Sequence, residues 1–453
     1  MAAFDLAIDG GTVITPEGRR GASVYITDGR IAAVGPDIHP AVVRHSAAGL
    51  LLMPGMVDAH VHLMEPREPE REDVPSGTAA AVRAGVTTVI EHTHSSPVRT
   101  LEDFEAKVRR VGPRSRIDLA LAAHAWPGGA DALEPLARAG VAFFKVFTCT
   151  THGVPAHGQK DLEALFSALA QFDATALVHC EDEGMTRSAE AELHASGRLD
   201  GGILPIWRSR EAELRAVEMV LDTARRTGAR VVVAHASHPR VVELVQSARA
   251  AGVIAFAETC PQYLTLLEDE VLTRGPFRKF TPPARAHHGA DLDDMWREIA
   301  DGRISYVASD HAPSTAAQKL RGTIWDAPFG LPGLDTTLPR LLDAAHAGLI
   351  TYERITEVYA RTPARLYGLA PRKGSLEVGA DGDVVLVDPN LRWTVRDEDV
   401  VSRAAWSPYS GRTFTGRAVA TFVGGRLASA TDVVLAEPGA GRILHAGPTS
   451  SAT

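Results

Sequence analysis

Apolar and polar residues alternate at both ends of the chain and gather into short unbroken apolar runs between them. The opening "FDLAIDGGTVITPEG" alternates around Gly10-Gly11, and "ASVYITDGRIAAVG" alternates around Asp28-Gly29. Period-two patterning around such turns predicts β-hairpins. The same texture returns in "GSLEVGADGDVVLVDP" and "GRAVATFVGGRLAS". From about Met56 to Leu366 the runs are continuous and end at or near His60, Glu91, Ala123, Phe147, His179, His235, Glu258 and Ser309. Parallel strands covered on both faces read this way. Amphipathic segments of helical period separate several of them. "KDLEALFSALAQF" precedes "ATALVHC", "REAELRAVEMVLDTARRTG" precedes "RVVVAHAS", "PRVVELVQSARAAG" precedes "VIAFAETC", and "LDDMWREIADG" precedes "ISYVASDHAP".

Repeated strand–helix units of this number predict an α/β fold of the TIM type, a (β/α)8 barrel. The competing doubly wound open sheet would carry a glycine-rich phosphate turn after an early strand, whereas "GADGDVV" lies late, inside the β-rich segment. The two β-rich ends are expected to pair into one small, discontinuous β-sandwich. The division is then 1–54 with 367–430 for the sandwich and 55–366 for the barrel. The last stretch, 431–453, is rich in Gly, Pro and Ser and is expected to be a mobile tail.

Composition narrows the function. The chain has 453 residues, 45% of them hydrophobic and 23% charged, within the ordinary range of a globular protein. A formal net charge of -9 argues against a nucleic-acid or anionic-membrane partner. No apolar run reaches the ~18 residues of a membrane span, and the N-terminus lacks a signal-peptide pattern. Three cysteines, Cys149, Cys180 and Cys260, are too few and too far apart for a disulfide framework. A reducing cytoplasm is therefore expected.

The candidate chemistry lies at the strand ends, where barrel active sites are built. His60 and His62 follow the first strand, Lys145 lies in the fourth, His179 and His235 end the fifth and sixth, and Asp310-His311 follow the eighth. Residues i and i+2 of a strand point to one side, so one metal can take both His60 and His62; against this, H-x-H arises by chance in a chain with 18 histidines. His179 or His235 alone reads as a core histidine. Together, on separate strands, the imidazoles and a carboxylate form a donor set for Zn and similar divalent ions. Lys145 sits in "VAFFKVF", where burying an ammonium is costly. Burial lowers a lysine's pKa and frees the amine, either to form a Schiff base or to take up carbon dioxide as a metal-bridging carbamate. The plainer alternative is a lysine that snorkels out of the strand end. Asp310 can ligate and shuttle a proton, or merely open a turn. His311 either contacts substrate or packs.

These residues together resemble the amidohydrolase superfamily, specifically its cyclic-amide branch of dihydroorotases, allantoinases, hydantoinases and dihydropyrimidinases. The resemblance rests on "PGMVDAHVH", the lone strand-four lysine, the two later histidines and "SDHAP". It extends to "DLAIDGGTVITPEG", "TPARLYGL" and "KGSLEVGADGDVVLVDP", nearly the whole chain. It implies that His60, His62, a carboxylated Lys145 and Asp310 surround the more buried ion, and that Lys145, His179 and His235 hold the second. It implies two divalent ions, Zn foremost, about 3.5–4 Å apart and sharing a hydroxide that attacks a ring amide, with Asp310 as general base. It also implies a homo-oligomer, dimer or tetramer. The alternatives are a hydantoinase or dihydropyrimidinase activity, a catalytically silent scaffold, and a deaminase or esterase on the same metal site. The complete ligand set weighs against a scaffold, and Lys145 against a deaminase.

Which ring is opened is written less clearly. "HCED" and "APFGLPGLDTTLPRLL", which contains Phe329 and Gly330, resemble dihydroorotase. Dihydroorotases, however, typically read H-x-H-x-R, and here Met64 replaces the arginine that would pair with a substrate carboxylate. Arg67, three residues on, is the nearest substitute, or simply an exposed arginine. His94 stands near the place of an asparagine usual in that group. "ETCPQYLTL" and "WSPYSGRTFTGRAV" look more like allantoinase and hydantoinase, but Thr150 occupies the position five after Lys145 where hydantoinases place a tyrosine. Met64, His94, Thr150, His311, Phe329 and Gly330 are thus the candidate substrate contacts of a cyclic ureide hydrolase. His92 and His152 are further histidines near strand ends, read as substrate contacts or solvated loop residues.

Overall fold

The computed structural model describes residues 3–447. Its centre is a parallel barrel of eight strands: β1 Met56–Val61, β2 Val86–Glu91, β3 Asp118–Leu121 continuing through Ala123–His124, β4 Phe144–Phe147, β5 Thr175–His179, β6 Arg230–Val233, β7 Ala255–Thr259 and β8 Tyr306–Val307. Neighbouring strands pair in parallel from β1 to β8. A parallel bridge between Val61 and His311 closes the ring. The helices Gln159–Gln171, Arg210–Thr227, Pro239–Ala250 and Gly289–Ala300 lie within a few residues of the predicted segments. The Arg210–Thr227 helix starts where Ser209 accepts from the Ala212 amide at 3.2 Å and stops at Gly228, whose φ is 75°.

The strands are apolar on both faces, as their sequences require. Ile90, Ala120, Ala122, Phe143, Leu177, Val232, Ala234, Phe256, Tyr306 and Ala308 form an inner cluster. Their alternates, such as Val89, Leu121, Val146, Val178, Val233 and Val307, pack in a separate cluster against the helices.

The chain ends build a nine-stranded sheet in which Leu51–Pro54 pairs with both Phe4–Thr15 and Val384–Thr394, joining the two termini. Leu6, Ile8, Val24, Ile26, Leu52, Val384, Leu386 and Phe422 bury a second core between its ends.

The expected mobile tail is corrected for residues 431–447. Val433–Val434 adds to the terminal sheet, and Ile443–Leu444 pairs in parallel with β3. Leu444 is buried in the inner cluster. A Cβ on Gly441 would stand 1.8 Å from the Ile117 carbonyl oxygen, so this glycine serves close approach rather than freedom. Residues 448–453 of that segment lie outside the described residues. Among the described residues no helix is long and apolar enough to cross a membrane.

Candidate active site

The site grows from the inner face of the barrel. Two residues beyond the last inner apolar side chain of six strands stand His92 after Ile90, His124 after Ala122, Lys145 after Phe143, His179 after Leu177, Glu258 after Phe256 and Asp310 after Ala308. β6 departs from this rule, since His235 directly follows the inner Ala234, and so does β1. Val57 and Ala59 face the inner cluster, so strict alternation would aim Val61 inward. The β1–β2 register slips between Asp58 and Val61, where three steps on β1 oppose two on β2. This bulge turns His60 and His62 inward, the re-aiming that bulges provide beside active sites. His235 and Asp310 have φ of 39° and 47°, a left-handed conformation unfavourable for side chains with a Cβ and held only by surrounding structure.

The side chains converge. His60 Nε2 and His62 Nε2 lie 3.2 and 3.4 Å from Asp310 Oδ1, and Lys145 Nζ lies 3.4 Å from His60 Nε2. His179 Nδ1 and His235 Nε2 face each other at 3.0 Å. The remote nitrogens are held from behind: His60 Nδ1 by Glu258 at 2.8 Å, His62 Nδ1 by the His92 carbonyl at 3.1 Å, and His179 Nε2 by Glu181 at 2.8 Å. A carbonyl only accepts, so His62 Nδ1 carries a proton and its Nε2 is turned toward the Asp310 carboxylate. Imidazole nitrogens converging on a carboxylate oxygen are a donor set that fits a divalent metal.

Burial sets the protonation states. It lowers Lys145 below the usual lysine value against the opposing pull of Glu258 and Asp310. It also lowers His60, assisted by the Lys145 charge. Asp310 is pushed up by burial, but the facing His60 and His62 more than offset this and keep the carboxyl below its ordinary value. Glu258 is raised by burial, against Lys145. It also accepts from Tyr306 at 2.6 Å and from the His235 amide at 2.9 Å.

Two groups among the described residues bring three donor atoms within 4.8 Å of one another: His60, His62 and His92, and Cys149, His179 and Glu181. In the second, Arg208 Nη1 already sits 3.0 Å from Glu181 and 3.2 Å from Cys149, so a cation of the protein occupies that place.

The profile of the amidohydrolase family matches residues 51–428, most of the chain. The chain belongs to the amidohydrolase family. It is 34% identical over 452 residues to an allantoinase of Rubrobacter xylanophilus, with 98% of each chain covered. It is 34% identical to a dihydroorotase of Halobacterium salinarum, covering 84% of this chain and 87% of the other. Among solved structures, L-hydantoinase (dihydropyrimidinase) from Arthrobacter aurescens superimposes with a TM-score of 0.93 at 30% identity, covering 97% of this chain and 99% of that one. Members of the family are typically metal-dependent, and the histidine clusters of this amidohydrolase suit that.

A cavity of about 290 Å³ opens over the cluster, a size suited to a small ring. His60, His62, Lys145, His179, His235 and Asp310 all line it, as do the candidate contacts Met64, His94, Phe329 and Gly330, and also His152. Met64 is 4% exposed and has a φ of 59°; its amide donates to Thr93 Oγ1 at 2.9 Å. Gly330 is required by space: a Cβ there would stand 2.2 Å from the Ala312 carbonyl oxygen. The Phe329 loop is pinned by two lysines. Lys279 Nζ donates to the Ile324 and Trp325 carbonyls at 2.7 and 2.9 Å, and Lys319 Nζ to those of Lys279 and Pro328 at 3.0 and 2.8 Å.

Two expected substrate contacts lie elsewhere. Thr150 Oγ1 donates to Glu183 at 2.9 Å, away from the cavity lining. His311 is buried behind the site: its Nδ1 accepts from the Gly333 amide at 3.1 Å and its Nε2 faces Glu72 at 3.2 Å. Arg67 is exposed, and the arginine that lines the cavity is Arg71. Arg71 is engaged by Glu68 at 2.9 Å and by the Pro313 carbonyl at 3.0 Å. Sequence reasoning passed over Glu68, Arg71, Glu181 and Glu258 as site residues. Glu258 gave the same signal as Lys145, a charge inside an apolar strand.

Proposed function

We propose that this amidohydrolase opens the ring amide C–N bond of a cyclic ureide or imide, in the manner of an allantoinase or dihydroorotase, with Asp310 as general base. The observation that carries the reading is the convergence of His60, His62 and Asp310 beside a buried Lys145, with the His179–His235 pair opposite. In this reading His60, His62, Lys145 and Asp310 hold one divalent ion, and Lys145, His179 and His235 hold the other. Burial makes the Lys145 amine less basic, and it would take up carbon dioxide with loss of a proton to become an anionic ligand at this site. Two bound divalent ions, Zn in this proposal, supply an acidified water and polarise the ring carbonyl.

The protein's own groups do the rest. Asp310, kept ionised by the facing histidines, accepts the proton of the attacking water and returns it to the leaving ring nitrogen. Glu258 and Glu181 fix the tautomers of His60 and His179. The buried inner cluster beneath and the Phe329 loop above limit water around the ring. Met64 on the cavity wall, with Arg71 committed to Glu68, favours a ring without a carboxylate at that edge over dihydroorotate. The working form is a homo-oligomer, dimer or tetramer.

Metal analysis of protein purified without chelator should find two tightly held divalent ions per chain; fewer than one would refute the metal site. Lys145→Ala should abolish turnover, with partial recovery on adding a short carboxylic acid. A metal-replete, fully active Lys145→Ala protein would refute the carbamate.

A further inference from the structure

His311 touches neither the cavity nor the metal-ligand cluster, yet its ring is fully buried and bonded through both nitrogens. Nδ1 receives the amides of Gly333 and Leu334 at 3.1 and 3.3 Å. An amide only donates, so Nδ1 keeps its lone pair and the ring proton sits on Nε2. That nitrogen faces Glu72 Oε2 at 3.2 Å. Glu72 is itself fully buried, and the Ser76 and Ser402 hydroxyls and the Asp73 and Arg403 amides surround its carboxylate. Among the described residues no arginine or lysine side chain pairs with it. A buried carboxylate is costly to keep. Here it accepts at Nε2 and so fixes the tautomer that leaves Nδ1 able to accept.

The turn that Nδ1 holds is the far end of the cavity wall formed by Phe329 and Gly330. This loop is pressed onto the chain on either side of Asp310 and His311. A Cβ on Gly330 would stand 2.2 Å from the Ala312 carbonyl oxygen, and one on Gly333 2.9 Å from that of Ser309. The His311 backbone bridges to both Val61 and Leu331, and its carbonyl accepts from the His62 amide at 2.8 Å. Asp310, with its φ of 47°, is held between these attachments.

We propose that His311, its tautomer set by Glu72, is a positioning residue: it clamps the Gly333–Leu334 turn onto the segment after β8 and so holds the Asp310 carboxylate and the Phe329–Gly330 wall in fixed relation. The proposal rests on the reading of Asp310 as general base of a ring-opening site.

Two substitutions separate the two nitrogens. Asn places its amide oxygen near the position of Nδ1, so His311→Asn keeps an acceptor for the turn. Gln places its amide nitrogen near the position of Nε2, so His311→Gln keeps a donor for Glu72 and loses that acceptor. Zn²⁺-loaded wild type and both variants are compared by hydrogen–deuterium exchange over residues 329–336, by metal content, and by kcat and KM. The substrate is whichever of hydantoin, allantoin, dihydropyrimidine and dihydroorotate the wild type opens fastest. In His311→Gln the Gly333 and Leu334 amides should exchange about 10-fold faster, the worth of one lost hydrogen bond. Its kcat/KM should fall about 10²-fold, as for a misplaced catalytic group, while the metal stays bound. His311→Asn should restore the protection and most of the rate. Unchanged exchange in His311→Gln would overturn the proposal. So would faster exchange with unchanged kcat and KM, which would leave a clamp without a catalytic consequence, and so would equal losses in the two variants. If His311→Gln folds poorly, the imidazole ¹⁵N spectrum of histidine-labelled wild type, with the His311 signal assigned by its absence from His311→Asn, decides: a proton on Nδ1 would overturn the proposal. If the wild type opens no ring, the ring-opening reading fails alone, and the exchange comparison decides the clamp by itself.

Discussion

His60 works through Glu258 as much as through its own position. The buried carboxylate accepts from His60 Nδ1 at 2.8 Å and so turns Nε2 toward Asp310. Glu258→Gln removes the charge but keeps the shape, and metal affinity should fall about 10–100-fold, the usual effect of losing such an outer partner. Competition with a chromophoric chelator measures this; unchanged affinity would remove Glu258 from the account. The histidines, Lys145 and Asp310 were legible in the sequence because metal-binding residue types at strand ends are rare enough to stand out together. Glu258, His92 and His124 follow the same inward period-two step, but reading them needs the inner face of each strand, which three-dimensional closure fixes. His311 misled because it adjoins Asp310, while the chain turns there and sends its ring toward Glu72.

The bulge in β1 and the anchoring of the C-terminal segment are features of elements that local patterning hides. A bulge is a register slip against a partner strand, so one strand's sequence does not reveal it. The final segment looked mobile from its Gly, Pro and Ser content, yet Arg442 pairs with Asp381 at 2.8 Å, and its amide donates to Asp118 at 2.8 Å. Lys373 Nζ reaches Asp118, Asp381 and Asp383 at 2.5, 3.1 and 2.7 Å in the same buried network. Burial raises Asp118 and Asp381, but Lys373 and its arginine partners outweigh it and hold both below the ordinary 3.8. The folded state therefore binds these protons more weakly than the unfolded chain. The stability this gives is complete above about pH 4 and is lost as pH falls below it. Lys373→Met strands the carboxylates and should cost about 3–5 kcal/mol at pH 7. It should also flatten the loss on further acidification. Urea titrations at pH 7, 4 and 3 compare the two proteins; parallel pH dependence would show that Lys373 does not depress these carboxyls.

The whole molecule was legible in outline. Continuous apolar strands alternating with amphipathic helices leave little besides a covered parallel sheet, and alternating ends supply the second sheet. How the two chain ends meet through Leu51–Pro54 is a matter of long-range pairing that periodicity cannot carry. The barrel gathers eight strand ends over one cavity, and the central claim concerns what happens there. The direct measurement is ring opening by the metal-loaded protein across hydantoins, allantoin, dihydropyrimidines and dihydroorotate, with Asp310→Asn as control. The account predicts metal-dependent opening of a ring lacking the dihydroorotate carboxylate, weaker turnover of dihydroorotate, and a loss on the order of 10²–10⁴-fold in Asp310→Asn. A metal-replete protein that opens none of these rings, or one that keeps its rate without the Asp310 carboxylate, would contradict it.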